Sequence, residues 1–258
     1  MQKVSDMHYR VVGSGNPILF IHGFLEDSTM WEDITPHFEN AMCVSIDLPG
    51  HGKSAAVEEA FSIKDLAQSC HHLLKSKNIQ PKAIVGHSLG GYLALELIKH
   101  FQNQPKLVLL NSHPWEDSKI KKQERKQVAK VVQKNHTLFI RTAIPNLFQN
   151  ADENQEAINS LISSAEKMNP MSIAFTSLAM ANREDNSETL INCDSIVIQG
   201  EYDKLIPADR MQKFCEENNV QFELIKGGDH MVHITKQKRV LEVFTLLDKL
   251  NTNTHKMC

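Results

Sequence analysis

The chain carries five short, almost wholly apolar runs, and each is closed within two residues by Gly, Asp or Asn. They are Ile18–Ile21, Ala41–Ile46, Ala83–Val85, Leu107–Leu110 and Ser195–Ile198, with a weaker sixth at Val220–Ile225. A strand that faces solvent on one side alternates polar and apolar residues; one without alternation is covered on both faces. Helical patterns separate the runs. They span Phe61–Lys77, Leu89–Phe101 (Leu93, Leu97 and Phe101 repeat at i+4) and Lys238–Leu250 (Val240, Phe244 and Leu247 on one side). Strands alternating with helices predict an α/β fold, a mostly parallel doubly wound sheet.

Between about Pro114 and Asn192 the rhythm stops. Four helical patterns, Asp117–Lys134, Thr137–Gln149, Glu153–Met168 and Pro170–Asn182, follow one another with no strand, and Asp152 and Pro170 read as start signals for the last two. The expected organisation is therefore a core of residues 1–113 and 193–258 with an inserted helical cap, 114–192. Ligands of open α/β sheets bind at the carboxyl ends of the strands, the edge such a cap would cover. The polar tail Asn251–Cys258 is expected to fray.

At 258 residues and 41% apolar composition, one large core is within reach, and a net charge of −3 gives no pull toward nucleic acid or anionic membrane. The expected partner is a small molecule, with no nucleic acid and no membrane. Five scattered cysteines without a CxxC pair, and a start without an apolar leader, predict a cytoplasmic address. Nothing in this reading bears on oligomeric state. No HExxH or Cys/His cluster suggests a metal, and no cofactor is expected.

The chemistry concentrates in Gly86-His87-Ser88-Leu89-Gly90. A strand ends just before it and a helix begins at Leu89, so Ser88 occupies a tight strand-to-helix turn that lifts its hydroxyl above the sheet. An alcohol is a weak nucleophile and needs a base, and the base needs an orienting carboxylate. Gly200-Glu201-Tyr202-Asp203 follows one strand and Gly227-Gly228-Asp229-His230 another, which brings an acid and a histidine to the edge where Ser88 stands. Asp203 is preferred to Glu201 because it lies farther along its loop and precedes Ile206-Pro207, where a helix could begin. His230 is preferred to His233, which starts the last helix and is expected to pack. His22-Gly23-Phe24 follows the first apolar run, so the Phe24 and Leu89 N–H groups are expected to form an oxyanion hole.

Together, Phe20-Ile-His-Gly-Phe24, Asp47-Leu-Pro-Gly-His-Gly-Lys-Ser54, Gly86-His-Ser-Leu-Gly-Gly91, Gly200-Glu-Tyr-Asp203 and Gly227-Gly-Asp-His230 resemble, in order, the signature blocks of the α/β-hydrolase superfamily. The resemblance covers essentially the whole chain outside the cap and is greatest to small capped carboxylesterases and the carbon–carbon bond hydrolases. It implies the α/β-hydrolase fold and a catalytic triad of Ser88, Asp203 and His230, with no catalytic role for Asp47 or His51. Asp229 departs from it, since many relatives have glycine there; a carboxylate beside His230 would favour the imidazolium.

The expected function is a serine esterase working through an acyl-enzyme. A carbon–carbon bond hydrolase or a thioesterase would keep the same triad, and a low-turnover ligand receptor would keep the same residues. In the cap, Phe139, Ile144, Leu147, Phe148, Ile173, Phe175, Leu178 and Met180 are candidates for an apolar pocket, with Phe148 and Phe175 the leading ones. His113 and Trp115 are candidate substrate contacts, and the basic run Lys119, Lys121, Lys122, Arg125 and Lys126 is expected to be a solvated helix face.

Overall fold

Each apolar run is a strand because its alternate side chains serve two different cores. In a computed structural model, which describes residues 6–252 and the side chains as far as Thr245, Leu19 and Ile21 pack into one hydrophobic cluster while Ile18 and Phe20 pack into another. The same division holds for Leu107 and Leu109 against Val108 and Leu110. With no face exposed, no position along such a strand has reason to be polar.

The chain begins with β1 (Tyr9–Val12), β2 (Asn16–Ile21), β3 (Ala41–Ile46) and α1 (Ile63–Ser76), then β4 (Ala83–His87), α2 (Leu89–Leu97) and β5 (Lys106–Leu110). Helices α3 (Lys119–Ala143), α4 (Gln155–Ala165), α5 (Pro170–Ala181) and α6 (Ser187–Ile191) follow without a strand. The series resumes with β6 (Ser195–Gly200), α7 (Ala208–Glu217), β7 (Gln221–Ile225), α8 (Val232–Thr235) and α9 (Gln237–Thr252). The seven strands lie in the order β1-β3-β2-β4-β5-β6-β7. Every pairing is parallel except that of β1 with β3. Residues of α1, α2 and α7 pack on one face; Trp31 and Phe38, with Val240 and Phe244 of α9, pack on the other.

Strand β1 has no counterpart in the apolar pattern. It is a partly exposed edge strand, so nothing demands an apolar run of it. Two of the expected cap helices are joined: α3 runs on to Ala143 across a single non-helical residue, Asn135 (φ −157°), and packs along α5. Its expected extension to Gln149 stops because Pro145 opens a separate 3₁₀ turn, Pro145–Leu147. Asn169 caps α5, with Pro170 in its first turn, whereas Asp152 opens a 3₁₀ turn ahead of α4. Val240 and Phe244 are buried as expected, while the Leu247 side chain and the tail beyond Thr252 lie outside the described residues. Among the described residues no helix is long and apolar enough to cross a membrane.

Candidate active site

The turn at Ser88 is built by two close approaches that only glycine permits. A Cβ on Gly86 would sit 2.4 Å from the carbonyl oxygen of Gly90, and one on Gly90 would sit 2.3 Å from that of Ile21. Squeezed between them, Ser88 adopts φ 50°, ψ −113°, a conformation that L-residues rarely tolerate outside functional turns. The strain is held by hydrogen bonds on both sides: Ser88 N–H donates to Leu110 O (3.0 Å), and Ser88 O accepts from the Ser112 hydroxyl (2.7 Å).

His230 Nε2 lies 3.0 Å from Ser88 Oγ, and its Nδ1 lies 2.8 Å from Asp203 Oδ2. These three side chains come from loops after β4, β6 and β7, all at one end of the sheet. Burial alone would raise the Asp203 pKa. The neighbouring His230, with hydrogen bonds from His230, Asn111 and Leu205, outweighs it and holds the carboxyl at about 2. An ionised carboxylate accepts only, so Nδ1 of His230 carries a proton and neutral His230 presents its Nε2 lone pair to Ser88. Glu201 is elsewhere, accepting the Gly227 N–H at 2.7 Å.

Phe24 lines the same cavity as Ser88, and Leu89 directly follows Ser88 in the chain. Leu89 opens α2, whose first N–H groups have no intrahelical acceptor. In the loop after β2 the Gly23 N–H is already taken by the Glu26 carboxylate (2.6 Å), which leaves the next donor, at Phe24. His22 braces that loop: its Nε2 accepts the Leu48 N–H (2.9 Å) and its Nδ1 donates to Gly23 O (2.7 Å). The Asp47 carboxylate ties two loops together, accepting the N–H of Ser28 from the segment after β2 and that of Lys53 from its own loop, which is a structural task.

A cavity of about 510 Å³ opens over Ser88 and His230. Its walls include the expected contacts His113 and Trp115, and from the helical segment Val128, Phe139, Leu147 and Met180. Phe148 and Phe175 are not among them, which corrects the expectation for both. Phe148 is 1% exposed in the cluster that joins the helical segment to Leu25 and Met231, and Phe175 packs down onto the cluster beneath. Ile144 and Ile173 are likewise interior to the helical segment. Nor is the basic run wholly solvated. Arg125 turns inward to Asp117 (2.5 Å), which it shares with buried Arg183, and both Lys121 and Arg125 line the cavity.

A profile of the alpha/beta hydrolase fold matches residues 16–237. The chain belongs to that family. Among curated relatives, the 2-succinyl-6-hydroxy-2,4-cyclohexadiene-1-carboxylate synthase of Klebsiella pneumoniae is 34% identical over 114 residues, 40% of this chain and 42% of that protein. The chain thus matches less than half the length of these curated relatives, and only 31% of a Mycobacterium bovis protein that is 35% identical over 106 residues. Among solved structures, a thermophilic esterase from Thermogutta terrifontis superposes with a TM-score of 0.87 at 25% identity, covering 95% of this chain and 94% of that one.

Two further details of this alpha/beta hydrolase stand beside the sequence reading, one at a residue that it singled out and one that it missed. Asp229 does not reach His230: its carboxylate accepts Met231 N–H (2.9 Å), the Thr235 hydroxyl (2.9 Å) and Gln149 N–H (2.9 Å), tying the helical segment to the turn. Behind the site, Glu26, His87 and His233 bring a carboxylate and ring nitrogens within 4.8 Å of one another, the spacing of a cation site. Glu26 and His87 already bond to each other there (2.8 Å), so the group is an ion pair first. An acid three residues after Gly23 and a histidine just before Ser88 were its only traces in the sequence.

Buried histidines give this protein a pH-dependent stability. Burial first, and neighbouring histidines second, push His51 and His233 from 6.5 down to about 3, so both are neutral in the fold. Below pH 6.5 the unfolded chain binds those protons and the folded one does not. Stability therefore falls as pH drops, by about 1.4 kcal/mol per pH unit for each histidine. Glu26 and Asp203, both at about 2, add the same sign below their ordinary values of 4.5 and 3.8. Urea titrations at pH 6.5, 5.5 and 4.5 should show a steadily falling midpoint, less steep in His51→Gln. A flat profile would mean that these histidines are not buried in neutral form.

Proposed function

We propose that this alpha/beta hydrolase is a serine esterase that cleaves a small-molecule ester through an acyl-enzyme on Ser88. The observation that carries the reading is the continuous bridge from Ser88 Oγ through His230 to Asp203, 3.0 and 2.8 Å, beneath a cavity of about 510 Å³. His230 Nε2 takes the Ser88 proton as Ser88 attacks the carbonyl carbon. Asp203 stabilises the resulting imidazolium without taking its proton. The Phe24 and Leu89 N–H groups receive the developing oxyanion, each contributing about 3 kcal/mol of barrier lowering. His230 then protonates the leaving alkoxide, and water, activated the same way, releases the acid.

The helices between β5 and β6 act as a cap that excludes water and shapes the acyl pocket. Phe139, Leu147 and Met180 carry that role in place of Phe148 and Phe175.

The test is a substrate panel of p-nitrophenyl esters of increasing chain length, an acyl thioester and a vinylogous diketone. Ester turnover with a defined chain-length optimum is expected. Leu147→Ala or Phe139→Ala should shift that optimum toward longer chains, by about 10- to 200-fold in relative kcat/KM. Cleavage of the diketone alone would move the activity to carbon–carbon bonds, and preference for the thioester would move it to thioester hydrolysis. Binding without turnover of any of them would make the protein a receptor. If cavity-lining variants scale every ester equally in folded protein, the cap does not choose the substrate.

A further inference from the structure

Glu26 and His87 lie 61 positions apart in the chain, and His87 lies 143 from His230, yet the three meet directly behind Ser88. Glu26 Oε2 accepts the Gly23 N–H at 2.6 Å and lies 2.8 Å from His87 Nδ1. His87 Nε2 in turn lies 3.0 Å from the backbone carbonyl oxygen of His230. Both partners of the His87 ring are hydrogen-free oxygens, a carboxylate and a carbonyl, so both ring nitrogens must donate. Only the imidazolium has two protons to give. Glu26 supplies the counter-charge that makes such a cation tolerable at 1% exposure.

We propose that Glu26 and His87 are a positioning pair for the acyl transfer, holding the oxyanion loop, the nucleophile turn and the backbone of His230 in one register. The inference rests on the esterase reading above. Each anchor is one residue from a working group, or on it: Gly23 precedes Phe24, His87 precedes Ser88, and the third anchor is the carbonyl of His230 itself. The protonation that the hydrogen bonds demand agrees with the surroundings. Burial works against charge on both partners, but their attraction and shared hydrogen bond prevail, lowering Glu26 to about 2 and raising His87. The remaining titratable neighbours of the His87 ring are His230 and His233, with ring centroids at 5.1 and 4.8 Å, and Asp203 more distantly. Only glycine fits beside the pair at position 23, where a Cβ would sit 2.3 Å from Glu26 Oε2 and 2.8 Å from His87 Nδ1, and both side chains reach the lining of the cavity that holds Ser88.

A neutral amide at position 26 cannot sustain the buried imidazolium. With one ring proton left, a glutamine carbonyl in place of Oε2 would keep the Gly23 N–H and Nδ1–H bonds and cost the bond from Nε2 to His230 O. Its NH₂ in that place would donate to Nδ1 and leave the Gly23 N–H without its acceptor, so either the His230 backbone or the oxyanion loop is freed. Misplacement by about an ångström can cost about 100-fold in rate. Glu26→Gln should therefore lower kcat on a p-nitrophenyl ester about 10- to 100-fold with KM within about twofold, and slow fluorophosphonate labelling to a similar extent. His87→Gln should behave alike. The double variant should lose no more than the worse single one, because the two act as a unit. Folding is followed by thermal denaturation, and His87→Gln carries the test if Glu26→Gln does not fold. The pairing is overturned if a folded variant keeps kcat within twofold, if only KM rises, or if the two losses multiply. A wild type inert to both esters and fluorophosphonate would overturn the esterase reading and this inference with it. A reactive wild type beside an unimpaired Glu26→Gln would overturn this inference alone.

Discussion

Replacing Ser88 by alanine is expected to remove ester turnover, by about a million-fold in kcat, and to abolish fluorophosphonate labelling while the protein stays folded. The loss is this large because in the proposed mechanism the hydroxyl forms the covalent bond; without it His230 would have no proton to take and the oxyanion donors no intermediate to hold. The fold should survive because of what Ser88 does structurally. Its backbone carries the turn through Leu110 O and the Ser112 hydroxyl, and its Oγ makes one hydrogen bond, to His230. Alanine is no worse than serine at φ 50°, so the stability change should stay within about 1.5 kcal/mol, the net worth of one hydrogen bond. Urea titration beside the activity assay separates the two effects. A folded Ser88→Ala protein that keeps hydrolysing esters at the wild-type rate would sink the proposed mechanism.

The strands that place Ser88 were legible because burial on both faces leaves a clear mark, three to six mostly apolar residues closed by a turn former. β1 was not, since Tyr9–Val12 lies at the sheet edge and is half exposed. The three side chains of the bridge were legible for a different reason. Strand-end loops of a parallel sheet all reach the same edge, so adjacency follows from topology even across more than a hundred residues. What did not follow was which side chains of the helical segment between β5 and β6 look into the cavity. Phe139 and Phe148 are equally apolar and close in sequence, yet one lines the cavity and the other fills the interior of the helical segment. Periodicity marks an apolar face without saying whether protein or ligand will cover it. Glu26, Asn111 and Gln199 were invisible for a similar reason. A single polar residue in a loop has no pattern, and its meaning comes only from partners contributed by other loops.

Asp203→Asn is expected to lower kcat about ten-thousand-fold and to destabilise the protein, whereas Glu201→Gln should leave kcat within a few-fold. The reason lies in how many donors converge on this carboxylate. Oδ2 accepts from His230 Nδ1 (2.8 Å), Asn111 Nδ2 (2.7 Å) and Gln199 Nε2 (2.9 Å), while Oδ1 accepts from the N–H groups of Leu205 (2.8 Å) and Ile206 (3.1 Å). An asparagine has one acceptor to offer and five donors to meet. Neither neighbouring amide can turn over to help without strain, because Asn111 also donates to Asp229 O (2.9 Å) and Gln199 to Ile206 O (3.2 Å). If the new NH₂ faces the backbone, it opposes the Leu205 and Ile206 N–H groups and costs about 1–3 kcal/mol for each donor left unpaired. If it faces His230, it donates to Nδ1 and forces the ring proton onto Nε2, which removes the base from Ser88. The second orientation also sets the NH₂ against the Asn111 and Gln199 donors, so it costs stability as well as the tautomer. Glu201 accepts a single N–H, from Gly227, and a glutamine carbonyl can do the same. Steady-state kinetics of both variants on one ester, beside their unfolding midpoints, decide the matter: a Glu201→Gln loss exceeding that of Asp203→Asn would place the orienting acid at the wrong residue.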